Sequence, residues 1–220
     1  MKNNERKDNL CEEDTDKILL VEGINDCHVV MNLCEKHKLP DIFGIHQCKG
    51  NNGVLKRLNS LISRPNPPQI IGVMLDVDNH KNHTLESRWQ SVTDKLKHYN
   101  YCLPITPDIN GTIVAGIEDK PKLGFWFMPN NQDCGMLEDF CAELAEPLSL
   151  VFAQECVAQA RSQGLTTFKE VHTTKAVIHT YLAWQDEPGY PLGKAISSQA
   201  LRSNNDIATK FTNWLNNLFT

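Results

Sequence analysis

Nowhere in these 220 residues does an apolar run approach the ~18 residues that a membrane-crossing helix requires. The first residues, Met1 to Lys7, are polar and lead into no apolar segment of the secretory kind, so a cytoplasmic chain is expected. The eight cysteines could suggest a disulfide framework or a zinc site, but they contain no Cys-x-x-Cys pair and most lie inside apolar patterns. Cys27 with Cys34, and Cys134 with Cys141, stand at helical spacing and read as small buried hydrophobes, reduced as a cytosol would keep them. No Gly-x-x-x-x-Gly-Lys-Ser/Thr occurs, so the chain is no P-loop nucleotidase. A Ser-His-Asp or Cys-His arrangement is also lacking. Positive charge is short too: 22 Lys and Arg against 27 Asp and Glu leave a net charge of −5. That balance speaks against coating a nucleic acid by bulk electrostatics, while leaving room for a local basic rim of Lys49, Lys56, Arg57, Lys81 and Lys175. Internal repeats and low-complexity segments are absent, which removes solenoids.

What is present is an alternation. With 40% hydrophobic residues the chain can bury a proper core. Residues 1–14 are polar and of mixed charge and read as a mobile tail. Strands are expected at 17–22, 42–48 and 69–77, with helices at 25–38 and 53–63 between them, stopped by Pro40 and by the Pro65, Pro67, Pro68 cluster. Such a βαβ succession predicts a doubly wound sheet. Leu85, Trp89, Val92 and Leu96 mark a helix over 84–98, followed by an extended piece at 101–105. Strands at 111–117 and 123–128, joined by the polar turn at 118–122, read as a hairpin on the sheet edge. Helices near 136–145, 147–162, 171–184 and 206–218 make the last third helical. The expected division is the tail 1–14, an α/β core 15–130 and a helical extension 131–220 packed on that core.

Acidic groups stand where the apolar runs stop. Glu22 follows Ile18 to Val21, Asp76 and Asp78 follow Ile70 to Leu75, and Glu138-Asp139 come shortly after Phe125 to Met128. Buried parallel strands read as continuous apolar runs, and ligands gather beyond their carboxyl ends. Carboxylates at several such ends converge, and a hard divalent cation is the natural resident of the site they make. Asp76 and Asp78 straddle Val77, so an extended backbone points both to one face. Without a cation such a gathering costs folding free energy, and neutralising Asp78 is expected to leave the apo protein as stable or more so.

Val21-Glu22-Gly23-Ile24-Asn25-Asp26, the turn Lys49-Gly50-Asn51-Asn52-Gly53 and Leu75-Asp76-Val77-Asp78 together resemble the Toprim domain of topoisomerases, bacterial primases and overcoming-lysogenization-defect nucleases. Gly135 to Phe140 and the stretch His172 to Lys194, with Lys175 and Tyr181-Leu182-Ala183-Trp184, resemble more narrowly the DUF3226 group of Toprim-like proteins. The matches span most of residues 17 to 197. The resemblance implies a Rossmann-like, mostly parallel sheet flanked by helices, and a Mg²⁺- or Mn²⁺-dependent enzyme that cleaves phosphodiester bonds in DNA or RNA. It makes Glu22 a metal ligand or general acid/base beside Asp76 and Asp78. Glu138 would complete a second metal site, with Asp139 as its neighbour or substitute, and Lys175 would stabilise charge on phosphate. A third aspartate continues the alternation in many Toprim proteins, whereas position 80 is His here. At this length neither topoisomerase nor primase has its required partner domains. The rival reading is a catalytically silent Toprim-like module that senses a nucleotide or acts with a separate ATPase.

Several residues carry a second reading. Glu138 and Asp139 open a helix, where the dipole favours acids anyway. Lys175 can sit at the edge of the stripe Val171, Ile178, Leu182 with its ammonium in water. Lys49, Gly50 and Gly53 can present backbone N–H groups to a phosphate or form a plain turn capped by asparagines. His80 and His83 suit a transition metal or simple solvation.

Overall fold

The computed structural model describes residues 11–12, 14–78 and 84–220. Five strands form one sheet: β1 (Lys17–Val21), β2 (Gly44–Gln47), β3 (Ile70–Asp76), β4 (Thr112–Val114) and β5 (Lys122–Met128), in the order β2-β1-β3-β5-β4. All neighbours are parallel except β4, which lies antiparallel on β5 at the edge. The doubly wound, mostly parallel sheet and its edge hairpin are therefore as the apolar runs imply.

Helices α1 (Ile24–His37), α2 (Asn51–Ile62) and α3 (Leu85–Leu96) connect the strands. After β5 come α4 (Leu137–Glu143), α5 (Pro147–Ser162), α6 (Thr173–Leu182), α7 (Leu192–Ser197) and α8 (Asp206–Phe219). Side-chain alternation sorts the core into two layers. Ile18, Leu20, Ile71, Val73, Leu75, Phe125 and Phe127 point to the face covered by α2 and α3. Leu19, Val21, Met74, Trp126 and Met128 point to the face covered by α1 and the later helices. The helices beyond residue 130 thus supply most of one core layer.

The closest of these contacts is made by α8. Gly72 and Gly124 are register partners on β3 and β5, and the buried Leu218 lies on both. A Cβ at Gly124 would stand 2.4 Å from a Leu218 methyl, and one at Gly72 3.0 Å from it. Glycine at both positions leaves room for the helix to sit this low.

Residues 11, 12 and 15 line the outer edge of β2. Gln47 donates its N–H to the Cys11 carbonyl at 3.0 Å, Gly44 donates to Thr15 Oγ1 at 3.0 Å, and Glu12 bridges His46. A disulfide joins Cys11 to Cys27 on α1. This corrects the expectation of uniformly reduced cysteines: Cys27 is fully buried, but against another cysteine brought from 16 residues away. Cys141 is buried as expected, whereas Cys134 is exposed. Two further differences concern local structure. Residues 101–105 join no strand ladder and instead pin α3, through Trp89 Nε1 donating to the Pro104 carbonyl at 3.1 Å. The six-residue α7 has no counterpart among the expected helices. Its Gly193 packs directly on the backbone of His28 in α1.

Candidate functional site

β1 connects outward to β2, and the chain then returns past β1 to β3 on its other side. The strand order reverses between β1 and β3, and doubly wound sheets open a crevice beyond the carboxyl ends at such a point. Here a cleft of about 470 Å³ opens, lined by Asp26, Asp76, Asp78 and Glu138, with His172 and Lys175 on its far wall.

Asp76 is the last residue of β3. Its Oδ1 accepts the Leu137 N–H at 3.1 Å, which ties the strand end to the first turn of α4. Its own N–H donates to Glu22 Oε1 at 2.8 Å, and its carbonyl accepts Asn51 Nδ2 at 3.2 Å. Val77 and Asp78 both donate their N–H groups to the Gly135 carbonyl, at 2.9 and 3.0 Å. Asp78 then takes the left-handed backbone, φ 57°. The extended alternation ends there, and the Asp78 carboxylate turns to α3, where Arg88 Nη2 donates to Oδ2 at 2.9 Å. That ion pair reverses the expectation for stability: Asp78 has a cationic partner, so neutralising it removes a favourable contact.

Glu138 is buried in the first turn of α4, with Lys175 Nζ of α6 at 3.2 Å from Oε1. Asp26, absent from the residues expected at the site, lines the cleft from the first turn of α1, where an acid suits a helix cap. It does cap, its Oδ2 accepting the Gly23 N–H at 3.0 Å. Yet it is also buried at the cleft floor. The signal was in its register: Asp26 shares the buried stripe of α1 with Val29, Val30 and Leu33, and an acid on a buried stripe needs a reason.

The other expected residues lie elsewhere. Glu22 does not line the cleft but sits behind Asp76, against the start of α2, where the Asn51 amide also faces its carboxylate. The Gly50 N–H donates to the Glu22 carbonyl at 2.8 Å. The start of α2 is therefore turned toward Glu22. Lys49 and Gly53 border a separate shallow pocket with His46, Lys56 and Arg57, and Arg57 is held by Asp14. Gly53 is a packing glycine, since a Cβ would stand 1.7 Å from the Cys48 carbonyl oxygen. Asp139 faces a second cavity, about 630 Å³, between α4, α5 and α6, and its Oδ2 accepts the Met136 N–H at 2.8 Å. Lys81, His80 and His83 lie outside the described residues.

Electrostatics follow from burial and crowding. Burial raises the Asp76 carboxyl well above its ordinary range, and Asp26, Glu22, Glu138 and Asp78 push it further. Burial, with Glu22 and Glu138, raises Asp26 to about 7 against the opposing Gly23 amide. Glu22 is raised by burial and by Asp78, while the Asp76 amide and Arg88 oppose the rise. Asp139 is raised by burial, against bonds from Met136 and Thr174.

Oxygen donors of this kind suit a hard divalent cation. The buried Asn51 Oδ1 beside them has no hydrogen-bond partner, as expected where a donor from a ligand or its water shell completes the set. Among the described residues no three Asp, Glu, His or Cys side chains are drawn together as a finished ligand set. The reason is visible: Glu22, Asp26 and Asp76 accept backbone N–H groups, while Asp78 and Glu138 face Arg88 and Lys175. The donor chemistry of these oxygens fits a hard cation.

No curated protein matches this chain, and no solved structure does. A family model described as a protein of unknown function, DUF3226, matches residues 16–220, and the chain belongs to that family.

Proposed function

We propose that the cleft is a Toprim-like Mg²⁺ or Mn²⁺ site serving hydrolysis of phosphodiester bonds in DNA or RNA. The observation that carries this reading is the crowding of Asp26, Asp76, Asp78 and Glu138 into one cleft at the reversal of strand order. Asp76, Asp78 and Glu138 would hold the cation, with Glu22 and Asp26 behind and below them. A cation bound there supplies the Lewis acidity that phosphodiester hydrolysis needs. Asp26 can hold a proton near neutral pH, which suits proton transfer to or from water. Lys175 stands ready to turn from Glu138 to a phosphate oxygen. No Ser, Thr, Cys or Tyr is among the described residues lining the cleft, and a water activated by the bound cation would be the attacking group in this reading.

The test is cleavage of labelled single- and double-stranded DNA and RNA by the purified chain in Mg²⁺ or Mn²⁺, beside calorimetric Mn²⁺ binding. Wild type is expected to cleave and to bind, and Asp76→Asn to do neither. Cleavage that persists in chelator overturns the reading.

A silent module acting with an ATPase is the second reading, favoured by one observation. Helix α5 exposes Leu148, Val151 and Phe152, with Trp184 beside Phe152 at 5.6 Å between ring centroids, an apolar face of the kind partners cover. Cation binding with no cleavage of any nucleic acid, alone or with candidate ATPases, would favour it.

A further inference from the structure

Arg88 stands in the first turn of α3, whose start is fixed by reciprocal bonds. Ser87 donates its N–H to Thr84 Oγ1 at 3.2 Å, and Thr84 donates its N–H to Ser87 Oγ at 2.9 Å. The next residue, Trp89, is wedged edge-on against Phe125 and Phe127, with centroids 5.6 and 5.9 Å away. Arg88 therefore issues from a backbone that does not drift. A cation in the first turn of a helix opposes the helix dipole, so the helix does not hold the guanidinium in place. Asp78 does, at 2.9 Å. The Arg88 side chain is 13% exposed, and its buried Nε has no hydrogen-bond partner. A buried donor without an acceptor is costly to keep. The planar fork of a guanidinium matches two oxygens of a phosphate as well as it matches a carboxylate.

We propose that Arg88 is an intramolecular countercation for Asp78 that a divalent cation displaces, and that the freed guanidinium then binds a phosphate oxygen of the ligand. The inference rests on the cation-site reading above and deepens it, because one side chain couples the two halves of the ligand. A cation that takes the Asp78 oxygen held by Arg88 breaks that pair. With phosphate present the guanidinium gains a new partner, so each ligand tightens the other by the same factor. Lys175 is a weaker competitor for Glu138, since its side chain is 48% exposed and its charge is well solvated.

The experiment titrates Mg²⁺ calorimetrically into the full chain near neutral pH, with and without inorganic phosphate, for wild type and Arg88→Met. Removing the internal competitor should tighten Mg²⁺ binding about threefold to fivefold. Phosphate should tighten Mg²⁺ binding in wild type and do so clearly less in the variant. Equal or weaker Mg²⁺ binding by Arg88→Met, or an undiminished phosphate effect, overturns the proposal while leaving the cation site standing. Absence of Mg²⁺ binding in both proteins overturns the cation site and this inference together. Binding by the variant alone supports the displacement in its strongest form. Should Arg88→Met fail to fold, Arg88→Lys keeps a charge for Asp78 without the fork. It should bind Mg²⁺ as wild type does and lose most of the phosphate effect, and an intact effect counts against the proposal.

Discussion

Replacing Asp26 by asparagine should stabilise the metal-free protein, and by an amount that depends on pH in a defined way. The Asp26 carboxyl titrates near 3.8 when unfolded and at about 7 in the fold, driven first by burial and then by Glu22 and Glu138. Because the folded value is the higher one, the native state holds the proton more tightly. Its stability is complete below pH 3.8, falls as pH rises through the interval, and levels off above about 7. At about 1.4 kcal/mol per pH unit this difference is worth on the order of 4 kcal/mol. Glu22, Asp76 and Glu138 relax when Asp26 loses its charge, and the new amide must share their space, so about 2–3 kcal/mol is the expected gain near pH 8. The amide oxygen of the introduced side chain can still accept the Gly23 N–H, so the cap survives. For a chain of this size the gain corresponds to a rise in Tm of about 5–10 °C. Thermal melts of both proteins in chelator, from about pH 4 to about pH 8, measure it. The variant should gain most at the alkaline end and nothing at the acid end. A variant that is no more stable near pH 8, or whose advantage does not shrink on acidification, refutes the account of Asp26.

Asp78→Asn should move the other way, losing about 1–2 kcal/mol in chelator because Arg88 is left without its carboxylate, and a Tm at or above wild type would show that the pair is not stabilising. Lys175→Ala, tested by steady-state kinetics on any substrate found, should lower kcat by about tenfold or more with little change in KM; an effect confined to KM would make the lysine a binding contact. Gly124→Ala should cost about 1–3 kcal/mol in urea unfolding, since its methyl meets Leu218 in a filled layer. The Gly124→Ala, Leu218→Ala pair should then cost less than the two single changes together.

The sheet was legible because burial on both faces leaves continuous apolar runs, and Ile70 to Leu75 is such a run. Asp76 could be placed at a crevice for the same reason. The direction of Asp78 could not, because it depends on one left-handed residue fixed by the distant Gly135 carbonyl. Arg88 hid in an amphipathic helix whose polar face reads as solvated until the fold brings it to Asp78, just beyond the end of β3. The Cys11–Cys27 bond joins residues of no recognisable spacing, and α7 is too short for a periodic pattern. Asp26 is the residue that a stricter reading of helical register finds, since positions 26, 29, 30 and 33 share one face. The turn at Lys49–Gly53 shows the converse: a glycine-rich start to a helix suggests a phosphate cradle, and the chain supplies its own carboxylate, Glu22, at that end.

A parallel sheet has two outer strands, each a row of N–H and C=O groups able to recruit another chain and begin aggregation. In this molecule one outer strand, β4, is only three residues long. The other, β2, is overlaid by residues 11, 12 and 15, and the Cys11–Cys27 bond fastens that cover to α1. Shortness guards one border and a covalent strap the other. Neither outer strand offers a partner a long open row of N–H and C=O groups.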